Sequence, residues 1–109
     1  IAKQQKLPNL IVWVDNNGFQ AMGKTKDILN TEPLEEKIKS FGWAVQRIDG
    51  HNFEEIELAL QKLSDSSPNV IICDTVKGKG VSFMEGNNLY HYKPPNENEY
   101  QEAMKELSK

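Results

Sequence analysis

Three stretches of this sequence carry residue types that can do chemistry. The first is Asp15-Asn16-Asn17-Gly18-Phe19-Gln20, set directly behind an apolar run. One reading is a tight turn, because Asn and Gly tolerate positive φ. The other is an oxygen-ligand site for a hard cation. Magnesium takes carboxylate, amide and carbonyl oxygens, usually with phosphate oxygens completing an octahedron. An Asn side chain and a backbone carbonyl two residues on can supply two such ligands, and the glycine between them lets the backbone present that carbonyl.

The second stretch is Thr75-Val76-Lys77-Gly78-Lys79-Gly80. It reads either as a solvated loop or as one that faces phosphate, with glycines for close backbone approach and lysines as point charges. It is not the G-x-x-x-x-G-K-[ST] loop and does not open a helix, which argues against a P-loop nucleotidase. The third is His91, in Leu89-Tyr90-His91-Tyr92-Lys93-Pro94-Pro95. A lone loop histidine is ordinarily a surface residue, but the aromatic flanks and the rigid Pro-Pro favour a fixed position. His51 stands just before a helix cap and reads as a turn residue. Cys73, inside an apolar strand with no basic neighbour, reads as an inert core thiol. Glu35, Glu36, Glu54 and Glu55 fall in first helical turns, where they complement the dipole. No Ser-His-Asp or paired-carboxylate arrangement is present.

The elements that must position these stretches alternate. Residues 1–6 (IAKQQK) read as the last turn or two of a helix, broken at Pro8-Asn9. Residues 10–14 (LIVWV) form an unbroken apolar run, as in a strand buried on both faces of a parallel sheet. Residues 15–32 read as a long polar loop. Pro33 suits a first helical position. Leu34, Ile38 and Phe41 make an amphipathic stripe that ends at Gly42. Residues 44–49 (AVQRID) are a second strand. Asn52 and Glu55 are spaced as a capping box ahead of a helix with Phe53, Ile56, Leu60 and Leu63 on one face. That helix gives way to a plain serine-rich loop, residues 64–67. Residues 70–73 (VIIC) are a third strand, and a glycine-bearing loop follows. Asn96 and Glu99 make a second capping box before a helix lined by Tyr100, Met104 and Leu107. The pattern predicts an α/β fold: a parallel sheet with right-handed crossovers and helices on both faces. Ligands in such sheets sit beyond the carboxyl ends of the strands, where the first two stretches lie.

Composition narrows the function. The 109 residues hold 13 Lys/Arg against 16 Asp/Glu, a net charge of −3, which disfavours a general nucleic-acid surface. No apolar run approaches the roughly 20 residues that span a bilayer. One cysteine permits no internal disulfide and no cysteine metal cluster. A soluble, reducing, cytoplasmic setting is the default expectation, without nucleic acid or membrane as partner. The apolar share, 38%, is lean, and part of the surface to be buried is expected to lie on something else. A chain that opens by finishing a helix and entering a central strand reads as a piece of a larger one.

Together the segments NLIVWVDNNGFQAMGKT, EPLEEKIKSFGWAVQRIDGHN and VIICDTVKGKGVSFMEGNNLYHYKPPNENEY resemble transketolase. The resemblance is to the second half of that family's thiamine-diphosphate-binding domain and covers almost the whole chain. Residues 1–109 are therefore expected to be the C-terminal part of that domain, incomplete as it stands. The resemblance implies that Asn17 binds a divalent metal, Mg²⁺ or Ca²⁺, through its side chain, and that Phe19 offers the same metal its main-chain carbonyl. Gly18 lies between them in the cofactor-binding turn. Lys77 matches the first lysine of a K-G-[KR]-G loop close to cofactor and substrate. His91 matches a histidine that faces the diphosphate and the sugar donor and is credited with proton transfers.

Three departures accompany the resemblance. The family's G-D-G, whose Asp is a metal carboxylate, is absent. Tyr90-His91-Tyr92 stands where W-H-G is usual. The glutamate that activates the aminopyrimidine belongs to another domain, usually of a partner subunit. The implied activity is transfer of a two-carbon ketol unit from a ketose to an aldose, with sugars or sugar phosphates as substrates. The implied partners are the rest of the chain or a complementary subunit, in a homodimer or heterotetramer. The 109 residues alone are expected to be inactive. The first components of 2-oxo acid dehydrogenases and deoxyxylulose-phosphate synthase use a similar diphosphate turn, but K-G-K-G-V-S-F-M-E argues against both. An alternative of another class is a non-catalytic remnant that serves as an interaction module.

Overall fold

The computed structural model describes residues 1–108; Lys109, the last residue of the expected domain span, lies outside the described residues. The chain divides into two compact units, described in turn. The first holds Ile1–Asn16 and Thr31–Thr75. Its centre is a parallel three-stranded sheet of β1 (Ile11–Asn16), β4 (Ala44–Asp49) and β5 (Asn69–Asp74), in the order β1-β5-β4. Register is continuous: Ile11 and Ala44 both face Asn69, and Asn16 and Asp49 both face Asp74. The chain steps two places from β1 to β4 and one place back to β5. With right-handed crossovers, steps in opposite directions put their helices on opposite faces. These helices are α2 (Leu34–Ser40) and α3 (Phe53–Gln61).

β5 is buried along its whole length up to Asp74, as its unbroken apolar run predicts. Ile71, Cys73 and Ala59 of α3 form the core, with Ile11, Ile48 and Leu63 packed against it. β1 does not follow the expectation of burial on both faces: Val12 and Trp13 stay exposed, at 37% and 45%. β1 pairs with β5 on one side only, so it is an outer strand of this sheet rather than the centre. At the amino-terminal end of β5, Asn69 is buried and fully used. Its amide donates to the carbonyls of Pro8, Ser64 and Ser67, and its oxygen accepts the Ser64 N–H at 2.8 Å.

Several local expectations are corrected. Residues 1–6 form a hydrogen-bonded turn, not an assigned helix; Lys6 N–H meets the Lys3 carbonyl and Leu7 N–H the Ala2 carbonyl, the closing pattern of a helix end. Pro33 is the N-cap of α2, not its first helical residue. Phe41 is exposed. On α3 the inward positions are Ile56 and Ala59, joined by Leu63 just past the helix end, while Phe53 and Leu60 point outward. Asn52 caps α3 through its side chain, but the box is not reciprocal, because Glu55 accepts from the Asp49 N–H instead.

The second unit holds Asn17–Asn30 and the chain from Val76 onward. The expected polar loop contains a hairpin, β2 (Phe19–Gln20) with β3 (Gly23–Lys24), and a one-turn helix, α1 (Thr25–Ile28). Strands of two residues are too short to leave a periodicity. Beyond Val76 come a folded loop, a 3₁₀ turn (Asn88–His91) and α4 (Glu97–Leu107). The Asn96/Glu99 capping box is complete. The expected apolar lining of α4 is reversed: Tyr100, Met104 and Leu107 are exposed, and the inward positions are Glu99, Ala103 and Glu106. Carboxylates do the docking. Glu106 accepts from the Ser82 backbone and hydroxyl, both at 2.6 Å, and Glu99 accepts from Lys93, Tyr90 and the Asn96 N–H.

Candidate functional site

All five residues singled out from the sequence, Asn17, Gly18, Phe19, Lys77 and His91, belong to the second unit. Asn17 Oδ1 accepts the Phe19 N–H at 2.9 Å, a closed turn of the kind Asn favours. Gly18 takes φ +74°, and its carbonyl accepts the Thr25 N–H at 2.9 Å. These bonds fix the direction of the Asn17 amide and of the Phe19 peptide. Phe19 opens the hairpin, paired with Lys24.

The tip of the hairpin reaches the histidine turn. The Ala21 carbonyl accepts two hydrogen bonds, from Asn88 Nδ2 at 3.0 Å and from the Tyr92 hydroxyl at 2.9 Å. Asn88 starts the 3₁₀ turn that His91 ends, and Asn87 caps that turn through the Leu89 N–H. The hairpin that carries Phe19 and the turn that carries His91 are thereby one assembly. The side chain of His91 is exposed, with the Tyr92 ring set perpendicular to it at 4.7 Å.

Lys77 sits on a loop that closes on itself. Its carbonyl accepts the Gly86 N–H at 2.9 Å, and Glu85 accepts the Gly80 N–H at 3.1 Å. Gly78 is required there twice over: φ is +75°, and a Cβ would lie 2.5 Å from the Met84 carbonyl oxygen. The loop is joined to the histidine turn by the Phe83–Tyr90 ring pair at 5.5 Å and by Asn87 Nδ2 on the Phe83 carbonyl. The glycine-lysine stretch is therefore a shaped loop rather than a slack one.

Charge also gathers at the carboxyl ends of the strands in the first unit. Arg47 clasps Asp74 with two hydrogen bonds, at 2.8 and 2.9 Å, and reaches Glu32 at 3.0 Å. Asn16 donates to the same Asp74 carboxylate at 2.6 Å, and the Thr75 hydroxyl donates to Asp15. The Arg47 guanidinium, aided by Asn16, holds the Asp74 carboxyl below its usual range. The Leu34 N–H and then Arg47 do the same for Glu32. Arg47 itself is pushed up by these carboxylates. Burial, followed by the nearby Asp15 and Asp74 charges, raises the Cys73 thiol, in keeping with an inert core sulfur. His51 serves its turn, with its N–H on Asp49 Oδ1. Among the described residues no group of three or more His, Cys, Asp or Glu is disposed to hold a metal. The donors offered by the Asn17–Phe19 turn are an amide and a carbonyl. These are hard oxygens of the type Mg²⁺ and Ca²⁺ take, too few to complete a shell alone.

Sequence reading missed the Arg47–Asp74–Asn16 cluster and the Asn88 contribution. For Asp74 a signal existed: a carboxylate directly after a wholly apolar strand. For Asn88 none did.

A parallel sheet flanked by helices, with shaped loops following its strands along the chain, defines an α/β protein. Residues 1–108 match the family model described as transketolase, thiamine diphosphate binding domain, and the chain belongs to that family. It is 42% identical over 107 residues to a 6-deoxy-6-sulfo-D-fructose transketolase subunit, SqwG, from Clostridium sp. (strain MSTE9), covering 96% of this chain and 39% of that protein. It is 40% identical to one of the apulose-4-phosphate transketolase subunits of Actinobacillus succinogenes, covering 97% and 39%. The chain thus spans about two fifths of the length of these curated relatives. Among solved structures, the transketolase of Campylobacter jejuni superposes with a TM-score of 0.89 at 30% identity, over 98% of this chain and 17% of that one.

Proposed function

We propose that this chain is the part of a transketolase that presents the metal turn and the proton-transfer histidine to thiamine diphosphate. The protein would move a two-carbon ketol unit from a ketose to an aldose, with sugars or sugar phosphates as substrates. The observation that carries the reading is the double hydrogen bond on Ala21, which fastens the hairpin that follows the Asn17–Phe19 turn to the His91 turn in a chain of this family.

In this reading the Asn17 side chain and the Phe19 carbonyl hold Mg²⁺ or Ca²⁺, and Gly18 permits the turn. Lys77 supplies positive charge toward the diphosphate. His91 is the general acid and base, an imidazole being the side chain that titrates near neutral pH. Thiamine diphosphate, when bound, supplies the carbon–carbon bond chemistry. The remaining metal carboxylate and the glutamate that activates the cofactor come from the rest of the chain or from a complementary subunit. The 39% coverage of the two relatives supports the rest of the chain as a source, and their names as subunits support a complementary subunit; the assembly would be a homodimer in the first case and a heterotetramer in the second. The 109 residues alone are inactive in this reading. A cytoplasmic site fits the lone cysteine and the fact that, among the described residues, no helix is long and apolar enough to cross a membrane.

Calorimetric titration of the intact protein with thiamine diphosphate and Mg²⁺ tests the reading. Magnesium-dependent binding that Asn17→Ala weakens tenfold or more is expected. Equal binding by the variant, or none by the intact protein, overturns it.

A further inference from the structure

His91 closes a single 3₁₀ turn and its side chain is exposed. An exposed ring on so short an element samples several rotamers unless something holds it. Two neighbours are placed to do so. The Tyr92 ring lies perpendicular to the imidazole with centroids 4.7 Å apart, the edge-to-face geometry that aromatic pairs favour. Tyr92 is in turn moored, because its hydroxyl donates to the Ala21 carbonyl at 2.9 Å. Asn88 donates to the same oxygen at 3.0 Å, so both lone pairs of that carbonyl are engaged.

The other end of the Asn88 amide is the second observation. With Nδ2 committed to Ala21, the orientation of the amide is set, and Asn88 Oδ1 is enclosed without a hydrogen-bond partner among the described residues. A buried orphan acceptor is rare and calls for a donor. Asn88 and His91 are three residues apart on a 3₁₀ turn, and side chains at that spacing eclipse. That spacing brings Asn88 and His91 to one side of the turn, although the ring as it lies makes no hydrogen bond to Oδ1. A half-turn of the ring about its Cβ–Cγ bond keeps the edge-on contact with Tyr92, and an N–H given to Asn88 Oδ1 in that pose would select one tautomer and leave the other nitrogen as the base.

We propose that Tyr92 and Asn88 are the positioning residues of His91: Tyr92 restrains the ring edge-on, Asn88 selects its tautomer, and both are anchored on the Ala21 carbonyl. The inference rests on the reading of His91 as the proton-transfer group. Neither residue is assigned contact with the reacting atoms.

The test is nuclear magnetic resonance of the intact protein labelled at the histidine rings, with His91 assigned through His91→Gln, alongside steady-state kinetics. Tyr92 is 67% exposed, so its variants are expected to fold. Tyr92→Phe keeps the ring but loses the hydroxyl that moors it, so the ring-current displacement of the His91 signals should shrink without vanishing. Tyr92→Leu should lose it, and kcat should fall on the order of tenfold to a hundredfold with a smaller change in KM, as misplacement of a catalytic group does. Asn88→Leu should move the His91 nitrogen shifts toward a mixture of tautomers. Unchanged His91 signals in both Tyr92→Leu and Asn88→Leu overturn the proposal. The spectra do not depend on turnover. An intact protein that transfers no sugar but shows the displaced His91 signals, lost in Tyr92→Leu, refutes the assigned reaction and supports the positioning.

Discussion

Each of the two units is held together internally by a different force. The sheet unit is fastened by apolar burial: Ile71 and Ile72 are fully buried and Ala59 nearly so. In the loop unit the buried apolar residues are Val81 and Ala103, and the fastening is done by carboxylates, amides and one doubly used carbonyl. Apolar burial is non-directional and indifferent to protonation. Hydrogen bonds are directional, and those to carboxylates titrate. The residues proposed to do chemistry lie in the directional unit, where orientation matters, and the sheet unit is built for rigidity. Sites of function are often drawn from such regions of low apolar packing.

The contrast can be broken most forcefully in the sheet. Ile71→Ala removes a fully buried side chain from the central strand and should cost about 2–5 kcal/mol, read as a lower midpoint in urea melts. A cost under about 1 kcal/mol would mean that the sheet is not held by its core. In the loop unit, Gly78→Ala forces a side chain into left-handed backbone against the Met84 carbonyl. Its cost should be about 1–3 kcal/mol and local. Hydrogen exchange at the Gly86 amide, which closes the loop on Lys77, should speed up while that of β5 amides holds. A smaller and purely pH-dependent effect separates the units at Glu99. Lys93 and then the Asn96 N–H pull its carboxyl down to about 2. A depressed carboxylate stabilises above its ordinary range and loses that contribution as pH falls through the folded value. Acid melts followed by signals of α4 should therefore weaken from about pH 5 toward 2. Glu99→Gln should flatten that slope without touching the sheet signals; a slope unchanged by the substitution would place the acid sensitivity elsewhere.

The sheet was legible because its strands are uniform: residues 44–49 were read to the residue, and β5 only gained Asn69 and Asp74 at its ends. Helix faces were less legible. Large apolar side chains announce a stripe, yet Phe53, Leu60, Tyr100 and Met104 face outward, while the small Ala59 and Ala103 make the close approach. Hydropathy ranks side chains by size and polarity and carries no information on which face another element covers. The site residues read from the sequence, Asn17, Phe19, Lys77 and His91, sit in turns with strong local chemistry. Arg47 and Asp74 are 27 residues apart, and Asn88 and Ala21 are 67 apart. Their meaning is created by folding, so no window along the chain contains it.

Asn69 changes what the serine-rich loop ahead of β5 amounts to. Three carbonyls and one N–H converge on a single buried amide, two of those carbonyls and that N–H belonging to residues 64–67. A protease needs an extended, accessible segment, and polar loop tips are its usual entry points. This one is riveted to the strand that forms the core. Nicking there has to wait for β5 itself to open, so a stretch with the composition of a linker should survive digestion as long as the sheet does.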